Sequence, residues 1–381
     1  MIGIDGSRVT VGERTGTETY TYQLLRALAR LGVRDPIRLY LNAAAPPVDL
    51  PTIGEPICIP FPRLWTHARL SWEMLRRPPG VLFVPAHVVP LRHPATVVTI
   101  HDLGYLGHPE SHPASDRRML DVTTRWSVRV ARRIIAISDT TRRDLMTHYG
   151  VPASRIQVIP HGVDHAMRPA TGEAIAELRR RLDLPDAYVL FVGTVQPRKN
   201  LGRLAQATSV LAQASLPHRL VIAGKRGWMA DQVDAEIAAS GMAERVRFLG
   251  YVAAADLPTL YSGADAFCFP SLYEGFGLPV LEAMACGTPV VASHSSAIPE
   301  VAGHAALLVD PTDPAEIGRA LCRAIGDGSL RSKLVAYGRA RADQFTWERT
   351  AQETITVLRD VRDGVTRAEG GPSDEDGTHG A

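Results

Sequence analysis

Apolar residues along this chain gather in short β-branched runs, separated by stretches where they recur every three or four positions. Met1–Asp5, given as residues 1–5, is the first run. A loop over 6–16 follows, and 19–31 sets Tyr22, Leu25, Leu28 and Leu31 at helical spacing. Further runs at Ile37–Leu41, Val81–Val84, Thr96–Ile100, 134–137 and 157–159 read as strands, with helices over 115–132 and 140–149. Ser138 or Asp139 suits the N-cap of the second helix. The pattern then repeats. Strands are expected at Tyr188–Val192, Arg219–Ala223, 246–249, Ala266–Phe269, 289–292 and 306–309, and helices at 201–214, 254–262 and 279–286. Short strands alternating with helices predict parallel sheets covered on both faces. The expected fold is therefore α/β, with two Rossmann-like doubly wound domains facing across a cleft. The boundaries fall at 1–168 for the N-terminal domain and 169–345 for the C-terminal domain. A last helix over 346–363 returns to the first domain, and a disordered tail covers 364–381. In such folds ligands bind at the carboxyl ends of the strands, so chemistry belongs in the strand-to-helix loops.

One loop stands out. After the run at 266–269 the chain reads Pro270-Ser271-Leu272-Tyr273-Glu274-Gly275-Phe276-Gly277-Leu278, and Pro279 opens a helix that stops before Gly287. Such a helix start offers free N–H groups and about half a positive charge, which suits a phosphate or diphosphate. A tight turn is the plainer reading. Glu274 and Glu282 flank this helix start. Eight residues of continuous helix span ~12 Å, against ~5–9.5 Å for paired glycosidase carboxylates. The two acids fit hydroxyls at either end of a longer ligand, or Glu282 only complements the helix dipole. Positive charge comes from Gly193-Thr194-Val195-Gln196-Pro197-Arg198-Lys199-Asn200. Arg198 and Lys199 suit leaving phosphates, or they lie in a solvated turn. Gly224-Lys225-Arg226-Gly227 is a weaker counterpart, and backbone groups beside Tyr251 and Val252 suit a base.

Composition narrows the classes. Hydrophobic residues make up 45% and charged residues 22%, as in a globular chain. The 42 basic and 40 acidic residues balance to +2, which argues against a nucleic-acid binder. Only three of the basic residues are lysines, and two of them, Lys199 and Lys225, follow apolar strands. No apolar run is long enough to span a membrane and no signal peptide is visible. Cys58, Cys268, Cys286 and Cys322 are scattered, so a cytoplasmic protein with free thiols is expected.

Taken together, these pieces resemble the retaining nucleotide-sugar glycosyltransferases of family 4, the "group 1" family. Glu274 to Glu282 matches the E-x7-E motif. The likeness runs nearly the whole length, through Gly16-Thr17, His101-Asp102, Ser138, Ile159-Pro160-His161-Gly162-Val163-Asp164, Pro197-Arg198-Lys199-Asn200, 246–252 and Phe345-Thr346-Trp347-Glu348. The resemblance implies a GT-B fold and hexosyl transfer, of mannose by family habit, from a nucleoside-diphosphate sugar. The implied acceptor is a hydroxyl of a glycan, glycolipid or small molecule. It also implies catalytic roles for Glu274, His101, Lys199 and Arg198. Glu274 would hold hydroxyls of the transferred sugar, Lys199 the diphosphate, and His101 would face the donor sugar. Donor binding would involve Gly16, Thr17, Gly193, Thr194, Tyr251, Val252, Gly275, Phe276, Gly277, Leu278 and Glu282, the last on the ribose. Two positions depart from the pattern. Thr194 stands where many members carry arginine, so Arg198 compensates or the phosphate contacts differ. His161 replaces a common asparagine and reads as structural.

Other chemistries fare less well. The only Asp-x-Asp is Asp374-Glu375-Asp376, in the acidic tail, and the pairs His108/His112 and His161/His165 are interrupted by Pro or Gly. No metal and no cofactor are therefore expected beyond the nucleotide-sugar co-substrate. No Gly-x-Ser-x-Gly elbow appears, and Val280 occupies the place of a third dinucleotide-binding glycine. An epimerase, a phosphorylase or a silent sugar-nucleotide sensor remain as rivals. Residues 63–77 place Trp65, Ala68, Trp72 and Leu75 on one helical face beside Arg69, Arg76 and Arg77. That face packs on the N-terminal sheet or touches anionic lipid as a peripheral membrane contact.

Overall fold

A computed structural model describes residues 1–62 and 64–369 of the chain. Seven parallel strands form the first sheet: β1 (Ile2–Asp5), β2 (Ile37–Leu41), β3 (Glu55–Cys58), β4 (Val81–Val84), β5 (Thr96–Ile100), β6 (Arg133–Ala136) and β7 (Ile156–Val158). Their order is β3-β2-β1-β4-β5-β6-β7. Six more make the second sheet: β8 (Tyr188–Val192), β9 (Arg219–Ala223), β10 (Val246–Gly250), β11 (Ala266–Phe269), β12 (Val290–Ser293) and β13 (Leu307–Val309), in the order β10-β9-β8-β11-β12-β13. The central strands β1, β4, β5, β11 and β12 are buried along their whole length, as expected for sheets with helices on both faces. Strand order reverses between β1 and β4 in one sheet and between β8 and β11 in the other. Those two switch points are where doubly wound sheets hold ligands.

The sequence pattern placed the central strands closely and erred at the edges. β3 went unread because its Glu55-Pro56 start breaks the apolar run, which an edge strand tolerates. The first helix runs Gly16–Arg30 and so begins earlier than expected. Thr15 and Glu18 form a reciprocal capping box there, which puts Gly16 and Thr17 in the first turn and out of the loop. Ser138, not Asp139, caps Asp139–Tyr149, its side chain accepting from the Thr141 N–H. The stretch after residue 64 departs furthest. Trp65–Leu70 is a π-helix and Ser71–Arg76 an α-helix, and the wider π turn shifts the rotational phase. The single apolar face therefore splits. Trp65, Leu70 and Met74 are buried, while Trp72 (53%) and Leu75 (62%) are exposed. Arg63 lies outside the described residues.

The last helix spans Trp347–Glu369, beyond the expected stop at 363. Residues 370–381, which carry the Asp374-Glu375-Asp376 triplet, lie outside the described residues. Trp347, Ala351, Ile355, Leu358 and Val361 form a stripe in the same apolar cluster as Ile2, Tyr20, Leu24 and Leu28. Asp35 anchors the far end by accepting from Arg359 and Arg362. The chain thus crosses between the halves twice, side by side: the Val163 N–H donates to Phe345 O at 2.9 Å. Gly162 is demanded by that approach, because a Cβ there would sit 2.1 Å from Trp347 N. Gly162→Ala is expected to lower the urea midpoint by the equivalent of roughly 1–3 kcal/mol, the usual cost of overpacking. An unchanged midpoint would refute the crossing geometry.

Candidate active site

The loops at the second sheet's switch point converge on a buried ionic cluster. After β8, Pro197–Lys199 forms one 3-10 turn, closed by Asn200 in the left-handed region at φ 62°. The Asn200 side chain holds that conformation by donating to Pro270 O (3.0 Å) and Pro311 O (2.6 Å). This turn points Arg198 and Lys199 at the loop after β11. Lys199 Nζ donates to Glu274 Oε1 at 2.5 Å, and Arg198 Nη1 lies 3.1 Å from Glu274 Oε2. Arg198 also donates to Tyr273 O. These three side chains are only 9–10% exposed.

Electrostatics keep the cluster ionised. Burial alone would raise the Glu274 carboxyl, but Lys199 and Arg198 outweigh it and hold it below the usual range. Burial lowers Lys199, opposed by Glu274. Asp102, from the first sheet, is likewise raised by burial but held low by the Arg198 charge. Two cations and two carboxylates therefore meet across the junction of the halves. A buried ion set of this kind stands only while every member keeps a partner.

The first sheet supplies the facing wall. Gly275 lies so close to it that a Cβ would fall 1.9 Å from His101 O and 2.7 Å from Asp102 Cβ. The glycine is thus required by contact with protein backbone, at a position where the resemblance implied donor binding. His101, after β5, directs Nε2 to Pro85 O at 2.8 Å and packs edge-on against Tyr20 at 4.8 Å. Burial lowers its pKa, so the ring stays neutral. Phe276 tilts against His161 at 4.9 Å, and His161 stacks on Trp347. His161 is buried among these rings. Tyr273 donates to Asp144 on the helix Asp139–Tyr149, and Trp228 Nε1 donates to Ser111 O at 2.7 Å, two further ties between the halves.

The structure brings together Glu274, Lys199, Arg198, Gly275, Phe276 and His101, and spreads the other expected residues around them. Gly277, at φ 107°, precedes the helix Leu278–Ala285, and Leu278 packs on the second core. Glu282, within that helix, turns away from the ionic cluster: Tyr261 donates to its Oε2 at 2.8 Å. Gly193 donates to Ala223 O at 2.9 Å, and the Thr194 methyl rests against Gly227. Tyr251 and Val252 follow the edge strand β10, with the Tyr251 ring 41% exposed. Gly16 faces open space. Sequence reasoning missed Tyr261 and Asp144, and it gave no role to Tyr273 and Asp102, which it quoted only as neighbours of Glu274 and His101. The packing of distant segments reveals their partners.

With this geometry in view, comparison with known proteins is decisive. Residues 175–341 match the model for "Glycosyl transferases group 1", and 14–167 match that for "Glycosyltransferase Family 4". The O-antigen chain mannosyltransferase B of Escherichia coli is 34% identical over 308 residues, 80% of this chain and 81% of that protein. A D-inositol 3-phosphate glycosyltransferase of Salinispora arenicola is 38% identical over 243 residues, 60% of this chain, which spans about half (54%) of that relative. Among solved structures, sucrose-phosphate synthase of Thermosynechococcus elongatus matches with a TM-score of 0.75 at 21% identity, covering 95% of this chain and 99% of its own. HepE of Anabaena, in complex with UDP and glucose, matches with 0.72 at 22% identity, covering 94% and 99%. Two doubly wound domains joined in this way make the molecule a GT-B glycosyltransferase in architecture. The chain belongs to the group 1 glycosyltransferases of family 4.

Two outcomes follow from the site geometry. Gly275→Ala pushes the loop off His101, and transfer activity is expected to fall at least about tenfold, since small misplacements near reacting atoms are costly. Unchanged activity would show that the halves need not approach this closely. Glu282 is pushed up to about 7, chiefly by burial; Tyr261 opposes the shift, and Asp164 adds to it. The native state therefore holds this proton more tightly than the unfolded chain, where the usual value is 4.5. The stability it contributes is present in acid and is lost as pH rises through about 7. Between pH 5 and 8, Glu282→Gln should flatten the fall in Tm seen for the parent, and parallel profiles would contradict the assignment.

Proposed function

We propose that this enzyme transfers a mannosyl unit from a nucleoside-diphosphate sugar to a hydroxyl of a glycan or lipid-linked glycan, with retention at the anomeric carbon and without a metal ion. The observation that carries the reading is the pair of buried cations, Arg198 and Lys199, aimed at Glu274 in the loops after β8 and β11, at the switch point of the second sheet. The E. coli relative is named for mannosyl transfer onto an O-antigen chain, and the Anabaena structure's title names UDP and glucose.

The chemistry follows from the charges. A diphosphate leaving group gathers negative charge as the glycosidic bond breaks. Arg198, Lys199 and the start of the helix Leu278–Ala285 supply the fixed positive charge that stabilises it. The incoming diphosphate competes with Glu274 for these cations and frees its carboxylate to accept from sugar hydroxyls. The neutral His101 faces the transferred sugar. The acceptor hydroxyl attacks the same face that the leaving group departs from, and the leaving phosphate oxygen takes its proton. Closure of the halves around Gly275 excludes water, which would otherwise hydrolyse the donor. Glu282 accepts from the ribose diol. Trp72, Leu75 and Leu64, exposed beside Arg76 and Arg77, provide a peripheral contact with an anionic membrane that carries the acceptor. Among the described residues no helix is long and apolar enough to cross a membrane.

Lys199→Ala is expected to cut kcat for transfer on the order of 100-fold, the cost of losing one oxyanion donor. Product formation from GDP-mannose and UDP-sugars measures it, with NMR of the product reporting the anomeric configuration. Near-normal turnover would remove Lys199 from the reaction, and an inverted product would overturn the retaining assignment. A ribose diol favours ionised Glu282, so donor binding should release a proton below pH 7. Calorimetry in buffers of different ionisation enthalpy reads that release, and its absence would leave Glu282 off the ribose.

A further inference from the structure

We propose that His87 is an acceptor-binding residue, which donates its Nδ1–H to a hydroxyl oxygen of the acceptor saccharide. The inference rests on the glycosyl-transfer reading above and extends it to the half of the site that receives the sugar.

Four observations meet at this residue. His87 lies in the loop after β4, and β4 beside β1 is the switch point of the first sheet. Its backbone lies at φ 30°, in the left-handed region that a non-glycine residue enters at a cost, and the Val88 N–H folds back onto Ala86 O beside it. Strain of this kind collects where a side chain is being aimed. The ring is stacked nearly parallel to His101, with centroids 5.7 Å apart and planes 16° apart, which places it beside the residue that faces the donor loop. Finally, its tautomer is fixed. The His101 backbone N–H donates to His87 Nε2 at 2.9 Å, so Nε2 carries no proton. Burial, reinforced by His101, lowers the pKa to about 4, so the ring is neutral and its single proton sits on Nδ1. That Nδ1 is shielded from water and has no hydrogen-bond partner among the described residues.

An orphaned donor in a strained loop at a ligand-binding switch point calls for an acceptor atom from outside the protein. A neutral N–H selects a neutral oxygen. It has no charge with which to prefer a phosphate, and Arg8, which acts on His87 electrostatically, is loosely held by Glu18 at 3.6 Å and free to meet any anion itself. A sugar hydroxyl matches His87. The diphosphate belongs to Arg198 and Lys199 on the facing half. His87 therefore reads the acceptor and leaves the donor to the other sheet.

The test uses full-length enzyme with GDP-mannose as donor and methyl α-D-mannopyranoside as acceptor, following GDP release with and without the glycoside. His87→Ala should raise KM for the glycoside at least about tenfold, and the change in KM for GDP-mannose that comes from losing the His101 N–H partner should be smaller and appear equally in His87→Asn. His87→Asn keeps an N–H near the Nδ1 position and tolerates positive φ, so it should recover most of the loss. His87→Gln still reaches the His101 N–H but offers no donor at the Nδ1 position, so it should not recover it. An unchanged glycoside KM in His87→Ala, a loss falling equally on donor KM, or rescue by Gln and not Asn overturns the proposal. If the parent turns over neither substrate, the choice of donor and acceptor has failed separately. Spectra of ring-15N histidine-labelled enzyme then decide: saturating glycoside should shift the His87 Nδ1–H signal, assigned by its loss in His87→Ala. A His87 signal that does not move overturns the assignment.

Discussion

The site is organised by the competition for two cations. Arg198 and Lys199 cannot be buried at 9–10% exposure without a partner, and Glu274 pairs with both, with Asp102 sharing the charge of Arg198. The molecule therefore keeps both cations neutralised by Glu274. In the proposed reading, a diphosphate takes the place of that carboxylate and no bare charge is exposed. The same reading ties recognition of the sugar to recognition of its phosphates, because Glu274 is released only when an anion replaces it.

That cluster works only if the two sheets are held in register. The chain crosses twice between them at Val163 and Phe345, and the last helix is embedded in the first core through Trp347, Ala351, Ile355 and Leu358. At the junction itself the contact is backbone on backbone, Gly275 against His101, with Asp102 sharing the charge of Arg198. Tyr273 and Trp228 bridge the halves with single hydrogen bonds. Among the described residues such ties are few and local, in keeping with the closure of the halves proposed above.

Much of this was legible in the sequence because it follows from local rules. Buried parallel strands announce themselves as β-branched runs, and Pro279 with Gly287 frames the helix after the donor loop. Glu274, Arg198 and Lys199 were legible as candidates, and the structure joins the three as a buried cluster in place of a solvated turn. What the sequence hid depends on geometry between distant segments. The partnership of Glu282 with Tyr261 joins two helices 21 residues apart. The need for Gly275 lies in the facing domain. The π turn at Trp65–Leu70 changed a helical phase that looked regular, and it turned Trp72 and Leu75 outward. The helix Pro314–Gly326 is a further element outside the expected set, although Asp313 caps it and Pro314 opens it. His87 looked like one histidine among thirteen until its hydrogen bond fixed its tautomer.

The exchange of Glu274 for diphosphate has a signature that separates it from simple loss of a binding residue. Calorimetric titration of the parent and Glu274→Gln with GDP and with GDP-mannose measures both sides of it. Removing the competing carboxylate should tighten GDP severalfold, since Arg198 and Lys199 no longer have to surrender a partner. The same change should weaken the sugar-bearing donor relative to GDP, because the hydroxyls lose their acceptor. Weakening of both ligands by the same factor, or no change in GDP affinity, would contradict a site built on competition for two buried cations.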